Sequence, residues 1–212
     1  MATKKTKAKS KTKKTTKKVT AKKATKKLTA KSKKTAPKKT AKAKTKSKTT
    51  GSAKAISKPA VSIGQTLPTL TLPATGGRTV SLSDLKGKHV VLFFYPKDST
   101  PGCTMEGHDF TRLHDQFKAT NTEVFGISRD NMKSHEKFKE CESYSIDLLS
   151  DEDEKASKVF GVIKMKNMYG REVRGIERST FVIDADGKLV KEWRGVSVPG
   201  HAEEVLNFVK GL

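Results

Sequence analysis

The sequence predicts an α/β domain, a central mixed sheet flanked by helices, preceded by a disordered basic tail. Apolar and β-branched runs at 89–95 and 122–128 alternate with stretches of helical period. Two further short apolar runs, 180–183 and 189–193, flank the turn Asp184-Ala185-Asp186-Gly187 and precede a last amphipathic stretch. The charge is divided rather than spread. Residues 1–60 hold 24 Lys and no Arg, Asp or Glu, which gives +24. The remainder of the 212 residues sets 21 Lys and Arg against all 22 acids, a net of −1 within a chain total of +23.

The tail, residues 1–60, is almost entirely Lys, Thr, Ala and Ser. Val19, Leu28 and Ile56 are its only large branched apolar side chains, and it has no aromatic. Such a segment cannot bury enough apolar surface to offset its ordering entropy, and Pro37 interrupts any transient helix. The composition resembles the tails of linker histones and histone-like bacterial proteins. Dense lysine on a flexible chain, as in the pairs Lys13-Lys14, Lys17-Lys18, Lys22-Lys23 and Lys26-Lys27, displaces counterions from phosphate backbones and binds them without regard to sequence. Without Arg or aromatics there is little to read bases or stack on them. A solubilising tail, a transit peptide and a contact with anionic lipid are the competing readings. Against them stand the density of one-signed charge, the lack of an Arg-bearing amphipathic helix and the lack of an apolar face. Non-specific nucleic acid is the favoured partner.

The folded domain is expected over 61–212. Residues 61–72 contain Pro68 and read as an extended lead-in with short edge pairing. Gly76-Gly77 turns the chain into 79–82, and Ser83 caps a short turn that ends at Gly87. After the strand 89–95, residues 104–118 form a helix with Met105, Phe110, Leu113 and Phe117 on its buried face. The strand 122–128 leads to a helix at 134–144 that carries Phe138 and Cys141 on one face. A short strand at 147–149 runs into a helix at 151–160, capped by Ser150 and acidic in its first turn as the helix dipole favours. The hairpin 180–183 and 189–193 crosses a turn rather than a calcium loop, because no ligand-spaced Glu follows. Residues 199–208 close the chain as a helix. This succession makes a thioredoxin-like α/β fold.

Only two cysteines are present, Cys103 and Cys141, so no disulfide framework is built. No run of about 18 apolar residues exists to span a membrane, and no secretory signal core is visible. A cytoplasmic, reducing compartment is expected, with nucleoid or chromatin association through the tail. Cys103 itself stands out by context. Pro96 ends the strand before it, Pro101-Gly102 forces a turn that exposes the position, and the thiol falls in the first turn of a helix. Free backbone N–H groups and the positive end of the dipole there favour thiolate over thiol. A hydrolase would need a partnered base, yet none of His89, His108, His114, His135 and His201 sits in a motif tied to Cys103. A Cys-x-x-Cys dithiol is absent, and no Cys/His cluster suggests a metal; no cofactor is implied.

The stretch Pro96-Lys97-Asp98-Ser99-Thr100-Pro101-Gly102-Cys103-Thr104 resembles the active-site motif of the peroxiredoxins, and its TPGCT form is similar to the Q-type, bacterioferritin-comigratory branch. Asn167-Met168-Tyr169-Gly170, the segment from Gly175 to Phe181 (GIERSTF) and Asp184-Ala185-Asp186-Gly187 resemble the same branch in the same order; nothing before about Val61 does. The resemblance implies a thiol peroxidase that reduces hydrogen peroxide and organic hydroperoxides, a monomer or weak dimer regenerated by thioredoxin or a similar thiol. It makes Cys103 the peroxidatic cysteine, which becomes a sulfenic acid. Thr100 would hydrogen-bond thiolate and peroxide, Pro96 would shield the sulfur, and Arg178 would add positive charge beside it. Glu106 either orients Arg178 or is simply an acid near a helix N-terminus.

The chain departs from this branch at the resolving cysteine. Many members carry it five residues after the peroxidatic one, where this chain has His108, and others on the next helix. Cys141 lies on that helix but two residues past the usual place, about 200° around the axis. It is therefore either the resolving cysteine or a core residue beside Phe138, and a one-cysteine mechanism with an outside thiol stays open. A DNA-compacting protein with a vestigial peroxiredoxin domain is the alternative function. The intact set Pro96, Thr100, Cys103 and Arg178 favours the enzyme.

Overall fold

The computed structural model describes residues 59–168 and 170–212. The lysine pairs from Lys13 to Lys27, and Tyr169, lie outside the described residues. The elements run β1 (Thr71–Ala74), β2 (Arg78–Ser81), a 3-10 turn (Leu82–Leu85), β3 (His89–Phe94), α1 (Pro101–Ala119), β4 (Thr122–Ser128) and α2 (Met132–Glu142). They continue with β5 (Asp147–Ser150), α3 (Lys155–Val159), β6 (Ile163–Met168), β7 (Arg171–Ile176), β8 (Ser179–Ile183), β9 (Leu189–Arg194) and α4 (His201–Val209).

Seven of the strands form one mixed sheet in the order β2-β1-β5-β4-β3-β8-β9. The three central strands β5, β4 and β3 are parallel, joined through α1 and α2, and the strands outside them pair antiparallel. This is the thioredoxin-like arrangement. It explains why β3 reads as an unbroken apolar run: a parallel strand at the centre of a sheet is covered on both sides. Val90, Leu92 and Phe94 enter one core with Phe125, Ile127, Phe160 and Phe181. Val91, Phe93 and Tyr95 enter the other, with Phe110 and Phe117 of α1, Phe138 of α2 and Val205 of α4. Each fully buried aromatic or aliphatic side chain contributes about 1.5–3 kcal/mol. Gly126 in β4 lets the layers close, since a Cβ there would stand 2.7 Å from the Phe93 ring and 2.9 Å from Leu148.

Several local expectations are corrected. Helix α1 starts at Pro101, with Thr100 as its N-cap residue. Its buried stripe is Cys103, Glu106, Phe110, Leu113 and Phe117, so an acid holds the place assigned to Met105, which is 51% exposed. The reason is angular: 103, 106, 110, 113 and 117 keep the 3-4-3-4 spacing of one helix face, and 105 does not. Asn131 caps α2 by accepting from the Ser134 N–H at 3.0 Å, so the helix begins before 134. Helix α3 is short. Asp151, not Ser150, receives its first free N–H groups, from Ala156 at 3.0 Å and Ser157 at 2.8 Å. Ser150 instead stays in β5 and donates to the Asp130 carbonyl at 2.7 Å. The 3-10 turn contains Ser83 rather than being capped by it. At 184–187 the Asp184 carboxylate accepts from the backbone of Asp186 and Lys188, which makes the segment a turn. The hairpin β6–β7 is not among the expected elements: Ile163 and Met165 alternate with Lys164, but β7 offers only Val173 and Ile176, three apart, so the pair shows no shared period of two. Among the described residues no helix is long and apolar enough to cross a membrane.

Candidate active site

The site forms where β3 stops. Tyr95 still donates its N–H to the Ile127 carbonyl at 3.0 Å, and Pro96, half-buried, leaves the sheet. Residues 97–100 turn the chain back, with Ser99 in the left-handed region at φ 56°. Pro101 occupies the first turn of α1, where its missing N–H costs nothing. Cys103 is the third helical residue.

The turn does not expose Cys103. The residue is 3% exposed, because it begins the buried stripe of α1 and shares the core with Tyr95 and Phe110. The residue that meets its sulfur comes from elsewhere in the chain. Arg178 lies between β7 and β8, and its Nη2 donates to Cys103 Sγ at 3.2 Å. Its Nη1 donates to Glu106 Oε2 in an ion pair whose arginine side chain is 15% exposed and whose glutamate is 1% exposed. One guanidinium thus bridges the sulfur and a carboxylate one helical turn apart. Gly102 lies beside it, and a Cβ there would stand 3.4 Å from Nη2, about van der Waals contact.

The electrostatics follow from burial. Desolvation pushes the Glu106 carboxyl up to about 7, outweighing the opposing pull of Arg178, and Oε1 has no hydrogen-bond partner. Burial alone would lower the Arg178 guanidinium, yet the charges of Glu106 and Cys103 and their hydrogen bonds hold it above its ordinary value. A fixed cationic donor therefore faces the sulfur at all working pH. Such a donor stabilises negative charge on sulfur and on an oxygen approaching it.

Thr100 is close in sequence but differently engaged. Its hydroxyl donates to the Lys97 carbonyl at 3.1 Å, and it makes no bond to Cys103 in this state. The structure thus brings together Cys103, Arg178 and Glu106 and sets Pro96 and Thr100 on the loop leading to them. Cys141 stands apart. It is exposed in the last turn of α2, and both cysteines are free thiols. Its place beside Phe138 in the core is thereby excluded: Phe138 is buried and Cys141 points off that face. The neighbouring Glu142 accepts from His108 of α1 at 2.9 Å, so the residue five after Cys103 does reach the end of α2.

A second cluster was not read from the sequence. Asp98, 6% exposed, accepts hydrogen bonds from Tyr95 Oη at 2.9 Å and Ser134 Oγ at 2.7 Å and lies 3.1 Å from His135 Nδ1. Its position two before Thr100 was the available signal, but Ser134 and His135 lie 36 and 37 residues away. No group of three or more metal-ligating side chains exists among the described residues.

Comparison with known proteins fits this geometry. The AhpC/TSA family matches residues 63–192. Peroxiredoxin Bcp of Bacillus subtilis is 47% identical over 152 residues, 72% of this chain and 97% of that protein. Peroxiredoxin Bcp of Xanthomonas campestris is 47% identical over 141 residues, 66% of this chain and 88% of its own. The solved Xanthomonas campestris peroxiredoxin Q superposes with a TM-score of 0.65 at 46% identity, covering 67% of this chain and 90% of that one. A Xanthomonas campestris bacterioferritin comigratory protein, equally similar, is described for its alkyl peroxide reduction activity. Xanthomonas peroxiredoxin Q has also been solved with a cysteine replaced by serine at either of two positions 36 residues apart. Cys103 and Cys141 are 38 apart.

Proposed function

The chain belongs to the AhpC/TSA family, among the Bcp-type peroxiredoxins, and is a thiol-dependent peroxidase; on that premise we propose that Cys103 is its peroxidatic sulfur and Arg178, Thr100 and Pro96 its immediate support. The observation that carries this is the single guanidinium shared by Cys103 Sγ and Glu106. The thiolate attacks one peroxide oxygen, the S–O bond forms and the O–O bond breaks. Sulfur is oxidised to sulfenic acid, and the other oxygen leaves with a proton as water or an alcohol. Arg178 faces the developing charge, and Glu106 orients it. The Thr100 hydroxyl, which donates to the Lys97 carbonyl here, turns to a bound peroxide in this reading. Pro96 limits water at the sulfur. The alkyl peroxide activity of the Xanthomonas relative supports organic hydroperoxides as substrates beside hydrogen peroxide.

Cys141 resolves the sulfenic acid in this reading. Its sulfur attacks Cys103 sulfur, a disulfide forms and the hydroxyl leaves as water; thioredoxin or another dithiol then reduces the disulfide. Exposure of Cys141 supports this over a packing role. Replacing Cys103 by Ser should abolish peroxide consumption and Cys141→Ser should stop thioredoxin-linked turnover after one stoichiometric reaction. Thiol-dependent turnover by Cys103→Ser refutes the nucleophile; wild-type turnover by Cys141→Ser replaces internal resolution with an outside thiol.

A second reading concerns the tail and rests on the charge split, +24 over residues 1–60 against −1 over the rest. It tethers the peroxidase to nucleic acid without regard to sequence, placing the scavenger beside a target of oxidants.

A further inference from the structure

The loop that presents Cys103 is fastened to the helix that carries Cys141, and the fastening is a buried polar cluster with no part in the chemistry above. Three side chains converge on Asp98: Tyr95 at the end of β3, and Ser134 and His135 in the first turns of α2. The Asp98 N–H in turn donates to Asp130 Oδ2 at 2.9 Å, an oxygen that also accepts from Ser128 Oγ at 2.8 Å. Burial would raise the Asp98 carboxyl, but the hydrogen bond and charge of His135, with Ser134 and Tyr95, hold it below its ordinary value. Burial and Asp98 keep the Tyr95 phenol protonated and hence a donor. His135 is fully buried and its Nε2 has no partner, so the ring's hydrogen bonding is directed at Asp98 and Tyr95. These are costly groups to bury, and they are assembled where the loop meets α2.

The two ends of α2 therefore have opposed duties. Its first turns hold Asp98, which lies between Pro96 and Thr100 and sets the loop ahead of Cys103. Its last turn carries Cys141, which is exposed and unpaired while Cys103 is buried and unpaired, so a bond between them would have to bring the buried sulfur and the exposed one together. We propose that Asp98 and His135 are positioning residues that clasp α2 to the peroxidatic loop, favouring peroxide attack while closed and limiting disulfide formation until they part. The disulfide half of this rests on the resolving role of Cys141 given above; the clasp itself does not.

The test measures the two steps separately. Reduced full-length protein is mixed with one equivalent of hydrogen peroxide and quenched at intervals. Mass spectrometry then follows loss of the Cys103 thiol and appearance of the Cys103–Cys141 disulfide. Asp98→Asn and His135→Asn should each slow the first and speed the second, by about tenfold for loss of one charge-assisted hydrogen bond. Ser134→Ala, which strands no charge, should shift both in the same directions by less, and Ser134→Thr should restore wild-type behaviour. Rates that are unchanged, or that fall together with the melting temperature, overturn the proposal. Hydrogen exchange over residues 132–142 in the Cys141→Ser background provides the arm that does not need a disulfide. There Asp98→Asn should expose α2 amides faster than the parent, and equal protection overturns the clasp even if Cys141 proves not to resolve.

Discussion

Replacing Glu106 by Gln tests the buried carboxyl beside the reactive sulfur. The folded carboxyl sits at about 7, against an ordinary 4.5, because desolvation outweighs the ion pair with Arg178. An acid raised in the folded state binds its proton more tightly there than in the unfolded chain. The stability it allows is complete below pH 4.5 and is lost as pH rises toward 7. With about 1.4 kcal/mol per unit, the loss across that window is on the order of 3 kcal/mol. Gln keeps an oxygen for Arg178 Nη1 and cannot titrate. Urea unfolding of the reduced protein at half-unit steps across this window should show wild type declining relative to Glu106→Gln by that amount, since all other titrations cancel in the difference. Parallel pH profiles for the two proteins would refute the reasoning, and would mean that Arg178 holds the carboxylate charged throughout. The orphaned Oε1 argues for the first outcome.

Gly107→Ala should destabilise the domain despite a helix-propensity gain of about 1 kcal/mol, because the new Cβ would stand 2.5 Å from the Tyr144 ring. Displacing Tyr144 also loses its hydrogen bond to the Thr104 carbonyl, so a net loss of about 1–3 kcal/mol is expected in chemical denaturation. Arg178→Ala should lower the second-order rate of peroxide attack by about 10²–10³ while Cys103 still reacts, measured by competition against a reference peroxidase. Full-length protein should bind duplex DNA of any sequence, with a slope of log K against log salt of roughly 0.9 per phosphate neutralised. A fragment from Val61 onward should bind none and keep the full peroxidase rate; DNA binding by that fragment would remove the tail from the account.

Elements whose cause is local were legible from the residues alone. β3 and β4 are apolar enough to be strands anywhere, Pro96 must leave a ladder, and Pro101 with the turn before it starts a helix that carries Cys103 in its first turn. The division of charge at about residue 60 is likewise a property of composition alone. Resemblance supplied Arg178, which periodicity would have left as one more residue at the edge of a hairpin. Pairings across long separations became visible only in the folded chain. Arg178 reaches a sulfur 75 residues away, and Asp98 takes two of its partners from α2, because parallel β3 and β4 end where antiparallel β8 begins, which brings the starts of α1, α2 and β8 to one end of the sheet. Burial was decided there too. Met105 is apolar and outside while Glu106 is an acid and inside, since the face of α1 that meets the sheet is fixed by Phe110, Leu113 and Phe117, and each residue's angle on the helix, not its hydropathy, determines its side.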